Sequence, residues 1–287
     1  MKAIILAGGN GTRLAPITTA VNKHLLPVHD KPMIYYPLSV LMLAGIRDIL
    51  VVCRDCDLTA YQHLLGDGER FGVAISYALQ SEPKGIAEAL IIGEHFLANG
   101  PCCLILGDNF FFGEGLGPKL REAAQLRVGA AVFAYQVADP ERFGVISFDE
   151  QLRALTIAEK PRHPKSDWAV TGLYFFDHQA PEIARHLRPS SRGELEITSL
   201  NRHYLTQNEL RVFLLGRGSA WLDMGTSASL QEAGAFVQMI EQRQGLKIAC
   251  LEEIALKNGW IDADSLKRSL PTRCDSEYYR YVRQLVT

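Results

Sequence analysis

The first hundred residues alternate short apolar runs with stretches of helical spacing, and that alternation leaves few architectures open. Ala3–Leu6, Ile49–Cys53, Ala74–Ala78 and Cys102–Leu106 read as strands. Between them, Met33–Leu43, Thr59–Leu65 and Ile86–Leu97 space their apolar residues as helices do. Strand, helix, strand in repetition builds a parallel sheet with helices on both faces, so its strands are apolar throughout. Pro32 is expected in a helix's first turn, where its missing N–H is harmless.

The second half changes character. Ala131–Val137, Phe143–Phe148, Arg153–Ile157, Ala169–Phe176 and Arg211–Leu215 read as strands, several close enough to pair antiparallel. Helices are expected at Glu182–His186, Glu196–Leu205 and Thr226–Arg243. Past Gly245 come two small helices, Glu252–Lys257 and Asp264–Ser269, and a Tyr-rich end. The expected fold is therefore α/β: a Rossmann-like mixed, mainly parallel sheet flanked by helices. A β extension covers about 131–244, and a helical appendage covers 245–287.

Composition removes several functions. Thirty Lys and Arg against thirty-two Asp and Glu leave a formal charge of −2, with no basic surplus to neutralise a nucleic-acid backbone. The most apolar stretch, Met33–Ile46, is too short to span a membrane and contains Pro37 and Ser39. The N-terminal apolar run stops at Gly8-Gly9 with no cleavage region after it, so it reads as a buried strand of a cytoplasmic protein. Cys53-Arg-Asp-Cys56 has metal-ligand spacing but no second pair answers it, and Cys102 and Cys103 point to opposite faces of one strand. The six cysteines read as reduced, buried or incidental thiols.

Directly after the first strand comes Leu6-Ala-Gly-Gly-Asn-Gly-Thr-Arg13. Gly8, Gly9 and Gly11 let backbone N–H groups approach a phosphate chain, and Arg13 adds a forked cation. The loop is neither a P-loop nor the dinucleotide fingerprint, since Leu14 stands where the last glycine would be. About 1–130 is thus read as the nucleotide-binding part. Lys23, ten residues on, is a second cation for a polyphosphate. Asp108 ends the strand Leu104–Leu106 at the carboxyl edge of the sheet, where ligands gather, and a carboxylate facing phosphates suggests Mg²⁺. An Asx turn capping the strand is the alternative. Asp223 precedes a glycine turn and a helix that Thr226 can cap, which leaves its carboxylate free. Glu159-Lys160 follows another strand and offers a hydroxyl acceptor beside a point cation, the pair that holds a sugar phosphate.

At this point the chain resembles the bacterial sugar nucleotidyltransferase family, and within it the branch that couples dTTP to glucose 1-phosphate, over practically its whole length. The segments that carry the resemblance are 6–13, 30–38, 106–109, 139–145, 159–161, 169–174, 192–198 and 221–225. The resemblance implies a single α/β domain over 1–244, whose part from about 131 binds sugar, and a homotetramer. It implies that Leu6, Gly8, Gly9, Gly11, Thr12 and Arg13 meet the nucleotide, and that Gln80, Pro83 and Gly85 form the base pocket. Arg13 and Lys23 would neutralise departing pyrophosphate, Asp108 and Asp223 hold Mg²⁺, and Lys160 the sugar phosphate. Leu106, Gly144, Glu159, Val170 and Trp221 would line the sugar site. A second nucleotide site near Arg217 and Gly218 is also implied, although the loop Phe112–Pro118 departs from the family's polar pattern. His24, Lys84, Phe143 and Met224 stand where Gln, Asp, Tyr and Thr are common.

The chemistry needs no enzyme nucleophile. A phosphate oxygen is already ionised at neutral pH, so the barrier lies in anion–anion repulsion and in charge developing on the leaving group. Gln80 can pair with thymine or uracil, whose edges agree; cytosine presents the reverse, which a flipped amide would suit unless neighbouring residues hold its orientation. UTP is therefore the alternative nucleotide and another hexose 1-phosphate the alternative sugar. A silent nucleotide-sugar sensor is disfavoured because Arg13, Lys23, Asp108 and Asp223 are all present.

Overall fold

A computed structural model describes residues 1–151, 153–271 and 273–287. The chain opens with strand β1 (Lys2–Leu6), a short antiparallel pair β2 (Pro27–Val28) and β3 (Lys31–Pro32), and helix α1 (Tyr35–Leu43). It continues through β4 (Asp48–Cys53), α2 (Leu58–Leu65), β5 (Ala74–Leu79), α3 (Glu88–Ile92), α4 (Glu94–Leu97) and β6 (Cys102–Leu106). Then follow β7 (Asn109–Gly113), α5 (Leu116–Ala123), β8 (Ala130–Gln136), β9 (Gly144–Phe148), β10 (Ala154–Glu159) and β11 (Trp168–Phe176). The remainder is α6 (Ala180–Arg185), α7 (Ile197–Thr206), β12 (Leu210–Leu215), β13 (Ser219–Asp223), α8 (Ser227–Gln244), α9 (Leu251–Lys257), α10 (Ala263–Ser269) and α11 (Glu277–Gln284).

One nine-stranded sheet runs β10-β9-β11-β6-β1-β4-β5, with β8 pairing β11 and β12 beside that path. Strands β6, β1, β4 and β5 are parallel, as continuous apolar runs require, so their carboxyl ends share one edge. Around β11 the pairing turns antiparallel, giving the mixed extension. Cys102 and Cys103 enter the cores on opposite faces of the sheet.

Two expectations need correction, and two strands went unread. Pro32 pairs with Pro27 rather than opening a helix, and Pro37 is the proline in the first turn of α1. The stretch Ile86–Leu97 is two short helices meeting at Gly93, which packs so closely on Ile4 that a Cβ there would collide with it. Strands β7 and β13 lie outside the main sheet and pair only with each other among the described residues.

Every residue from Tyr35 to Met42 of α1 is buried, the state of a helix that is apolar all round. The sheet covers one side; Leu251, Ala255, Leu266, Tyr278 and Val282 of the C-terminal helices belong to the same core. Helix α8 is fixed to the β2–β3 hairpin by buried charges. Glu241 accepts from Lys31 at 3.0 Å, Lys247 at 2.6 Å and the Ile248 backbone at 2.9 Å. His29, Asp30 and Glu241 bring ligating atoms within 4.8 Å of one another, but Lys31 and Lys247 already neutralise both carboxylates. Burial raises the Asp30 carboxyl, and the ammoniums of Lys31 and Lys247 outweigh it, leaving it below its ordinary 3.8. Its contribution to stability is thus complete above that value and lost only as pH falls through the lower folded one. Glu241→Gln should leave an uncompensated buried cation and cost about 3 kcal/mol, read as a lower denaturant midpoint at unchanged slope.

Candidate active site

The glycine loop leaves the carboxyl end of β1 beside the ends of β5 and β6. Leu6 packs partly buried, and a Cβ on Gly8 would run into the Gln80 side chain. One on Gly9 would sit 3.4 Å from Lys23 Cε, so the loop lies along that lysine. Gly11 takes φ 62, the left-handed region glycine enters freely, and starts the turn Thr12–Leu14 that carries an exposed Arg13. Lys23 begins a second short turn, in which the Asn22 Oδ1 accepts from the His24 N–H at 3.0 Å. Burial, then the neighbouring Lys23, lower His24 to about 3, so its ring is neutral at physiological pH.

Gln80 is buried at the end of β5. Its Nε2 donates to Glu88 Oε2 at 2.7 Å, and the Lys84 N–H donates to the same oxygen at 3.0 Å. An ionised carboxylate only accepts, so Glu88 fixes which way the Gln80 amide faces. The Oε1 is left turned towards Gly8. Pro83 is exposed in this loop, and Gly85, at φ 111, lies against the Leu195 backbone where no Cβ fits.

Strand pairing brings the two aspartates together from 115 positions apart. In the β7–β13 ladder Asp223 stands opposite Asn109, and the Met224 N–H donates to the Asp108 carbonyl at 2.9 Å. Thr226 caps α8 through a capping box with Ser229, so the Asp223 carboxylate is not spent on the cap. Asp108 is buried; its carboxylate is ion-paired with Lys23 and accepts from Asn109 Nδ2 at 3.1 Å. Burial pushes it up, but the Lys23 ammonium outweighs this and holds it well below the usual carboxylate range. Burial and then the Asp108 charge raise Asp223 to about 6, against the pull of Arg13 and Lys23. Two hard carboxylates side by side, one of them destabilised by the other, suit a divalent cation that completes its shell with phosphate and water. The donor set fits Mg²⁺.

Both aspartates and Arg13 line a cavity of about 200 Å³ together with Leu106, Gly144, Glu159, Lys160, Val170 and Trp221, so every residue expected to meet sugar is there. Glu159 ends β10; its carboxylate accepts from Thr198 Oγ1 at 2.5 Å and from Arg192 at 3.2 Å. Arg192 is itself held by Glu196 at 2.8 Å. Gly144 keeps the space open, since a Cβ would lie 3.2 Å from Thr198 Oγ1. Lys160 takes φ 40, a left-handed conformation costing a side chain on the order of 1 kcal/mol, and donates its N–H to the Phe143 carbonyl at 2.9 Å. Trp221 Nε1 donates to Asn109 Oδ1 at 2.7 Å, as does the Gly172 N–H at 3.0 Å, so Asn109 joins the two aspartates to the Trp221 wall of the cavity. Asn109, Thr198 and Arg192 lie in motifs without an expected role, and nothing in the sequence marks Glu88. Arg217 and Gly218 form the turn between β12 and β13, where the Gly218 carbonyl approaches Gly113.

A parallel sheet whose strand ends present a glycine loop, a pair of carboxylates and flanking cations is the apparatus of nucleotidyl transfer. The chain belongs to the nucleotidyl transferase family, whose model matches residues 2–239. It is 58% identical over 286 residues to the glucose-1-phosphate thymidylyltransferase of Neisseria meningitidis serogroup A, covering 100% of this chain and 99% of that one. A Bacillus anthracis crystal structure in complex with a sucrose is 42% identical, with TM-score 0.76 over 82% of this chain and 94% of that one. A UDP-glucose pyrophosphorylase complexed with UDP-glucose shares the fold at TM-score 0.73 and 24% identity, over 83% of this chain and 98% of that one. No described helix is long and apolar enough to cross a membrane.

Proposed function

We propose that this enzyme makes dTDP-glucose and pyrophosphate from dTTP and glucose 1-phosphate. The observation that carries the reading is the meeting of Asp108, Asp223, Arg13 and Lys160 on one cavity, with Lys23 reaching its edge through Asp108. Lys160 binds the sugar phosphate and Glu159, oriented by Thr198 and Arg192, accepts from sugar hydroxyls. An ionised phosphate oxygen of glucose 1-phosphate forms a bond to the α-phosphorus of dTTP in line with the bond that breaks to the β-phosphate. The electron pair leaves with pyrophosphate, whose charge Arg13 and Lys23 take up. Asp108 and Asp223 hold Mg²⁺, which when bound screens the repulsion between the reacting anions.

Gln80 reads the base. With its donor side held by Glu88, the Oε1 accepts from a pyrimidine N3–H, which thymine and uracil possess and cytosine lacks. The thymine methyl is worth only about 0.8 kcal/mol if buried, so dTTP and UTP are expected within about tenfold of each other in kcat/KM. CTP should be roughly 10- to 100-fold worse, the cost of one mismatched buried polar group. Glu88→Ala frees the amide to flip and should bring that ratio below about tenfold; an unchanged ratio would refute the clamp.

A pyrophosphate-release screen crossing the nucleoside triphosphates with several sugar 1-phosphates tests the whole reading, and silence across all pairs would leave a nucleotide-sugar sensor. The same reading includes the division at 244 into catalytic domain and appendage, a cytoplasmic homotetramer, and a second nucleotide site near Arg217 and Gly218. The last is supported by a cavity of about 460 Å³ lined by Gly113, Lys247 and Lys257, next to that turn.

A further inference from the structure

We propose that Asn201 determines sugar specificity, its side-chain amide serving as donor and acceptor for one sugar hydroxyl; this rests on the assignment of the cavity to a hexose 1-phosphate. Asn201 is 0% exposed, lies on α7 and lines the cavity beside Ile197 and Thr198. Residues three apart share a helix face, so Asn201 continues the wall from which Thr198 reaches Glu159.

Neither its Nδ2 nor its Oδ1 has a partner among the described residues. Buried polar side chains almost always find one. The other atom in this state is Asp30 Oδ1, which has the Lys31 ammonium 2.5 Å away. Asn201 thus lines the cavity with neither half of its amide hydrogen-bonded among the described residues. Its neighbours on that wall are engaged: the Glu159 carboxylate accepts from Thr198 and Arg192, and the Trp221 N–H is given to Asn109. A hydroxyl both donates and accepts, as the amide does, and a phosphate at neutral pH cannot donate.

The test uses the full-length enzyme with Asn201→Leu, which keeps bulk and removes both polar atoms. KM for glucose 1-phosphate should rise about tenfold or more while KM for dTTP stays unchanged. Among 2-, 3-, 4- and 6-deoxyglucose 1-phosphates, one should be used equally by wild type and variant, because the hydroxyl it lacks is the one Asn201 reads. Thermal stability should hold or rise, since no internal hydrogen bond is lost. Equal losses on every analogue, an unchanged KM for glucose 1-phosphate, or a fall in melting temperature with uniform loss of activity would overturn the proposal. Should the leucine variant not fold, Asn201→Ala carries the same analogue comparison. Wild-type enzyme that uses no hexose 1-phosphate refutes the parent assignment and this proposal together, before any variant is made.

Discussion

Asp108→Asn and Asp223→Asn are each expected to lower kcat by at least about 100-fold, the scale of removing one strong electrostatic stabiliser. Asparagine keeps size and hydrogen bonding and removes only the charge. The two replacements should differ in what remains. Asp108 also neutralises Lys23, so its loss frees a partly buried cation next to the loop, whereas loss of Asp223 removes a carboxylate that Asp108 already disfavours. Both variants should need more Mg²⁺ for half-maximal rate. Near-wild-type turnover in Asp108→Asn, with an unchanged metal titration, would end the metal assignment.

Lys160→Ala is expected to lower kcat/KM for glucose 1-phosphate by about 10- to 100-fold, since a hydrogen bond to a charged group is worth about 1.5–3 kcal/mol. KM for dTTP should not move. Arg13→Ala should show the opposite division, losing kcat with the sugar-phosphate KM nearly intact, because Arg13 ends the glycine loop while Lys160 follows strand β10 of the β extension. Steady-state kinetics in both substrates separates the two. An unaltered sugar-phosphate dependence in Lys160→Ala would refute its role.

The parallel core was legible because burial on both faces forces uninterrupted apolar runs, and β1, β4, β5 and β6 are such runs. The candidate site inherits that legibility, since Gly8, Arg13, Gln80 and Asp108 all follow directly from those strands. What joins the site was not legible. Nothing local in Ser219–Asp223 announces that it pairs with Asn109–Gly113, more than a hundred residues earlier, and only that ladder makes Asp223 a neighbour of Asp108. Glu88 was hidden for another reason: an acidic residue in a helix's first turn already has a sufficient explanation in the helix dipole. Gly93 was read as helix interior because its constraint, contact with Ile4, comes from the neighbouring strand.

The all-round burial of α1 has a consequence for the enzyme's life on the ribosome. Its outer face is closed by residues between Cys250 and Val286, which are made after the sheet is complete. At roughly 5–20 residues per second, the sheet and α1 wait several seconds with that apolar face uncovered. A nascent chain paused before residue 250 is therefore a client for chaperones. Nonsense or frameshift products that end there should accumulate as aggregates, however intact their catalytic residues.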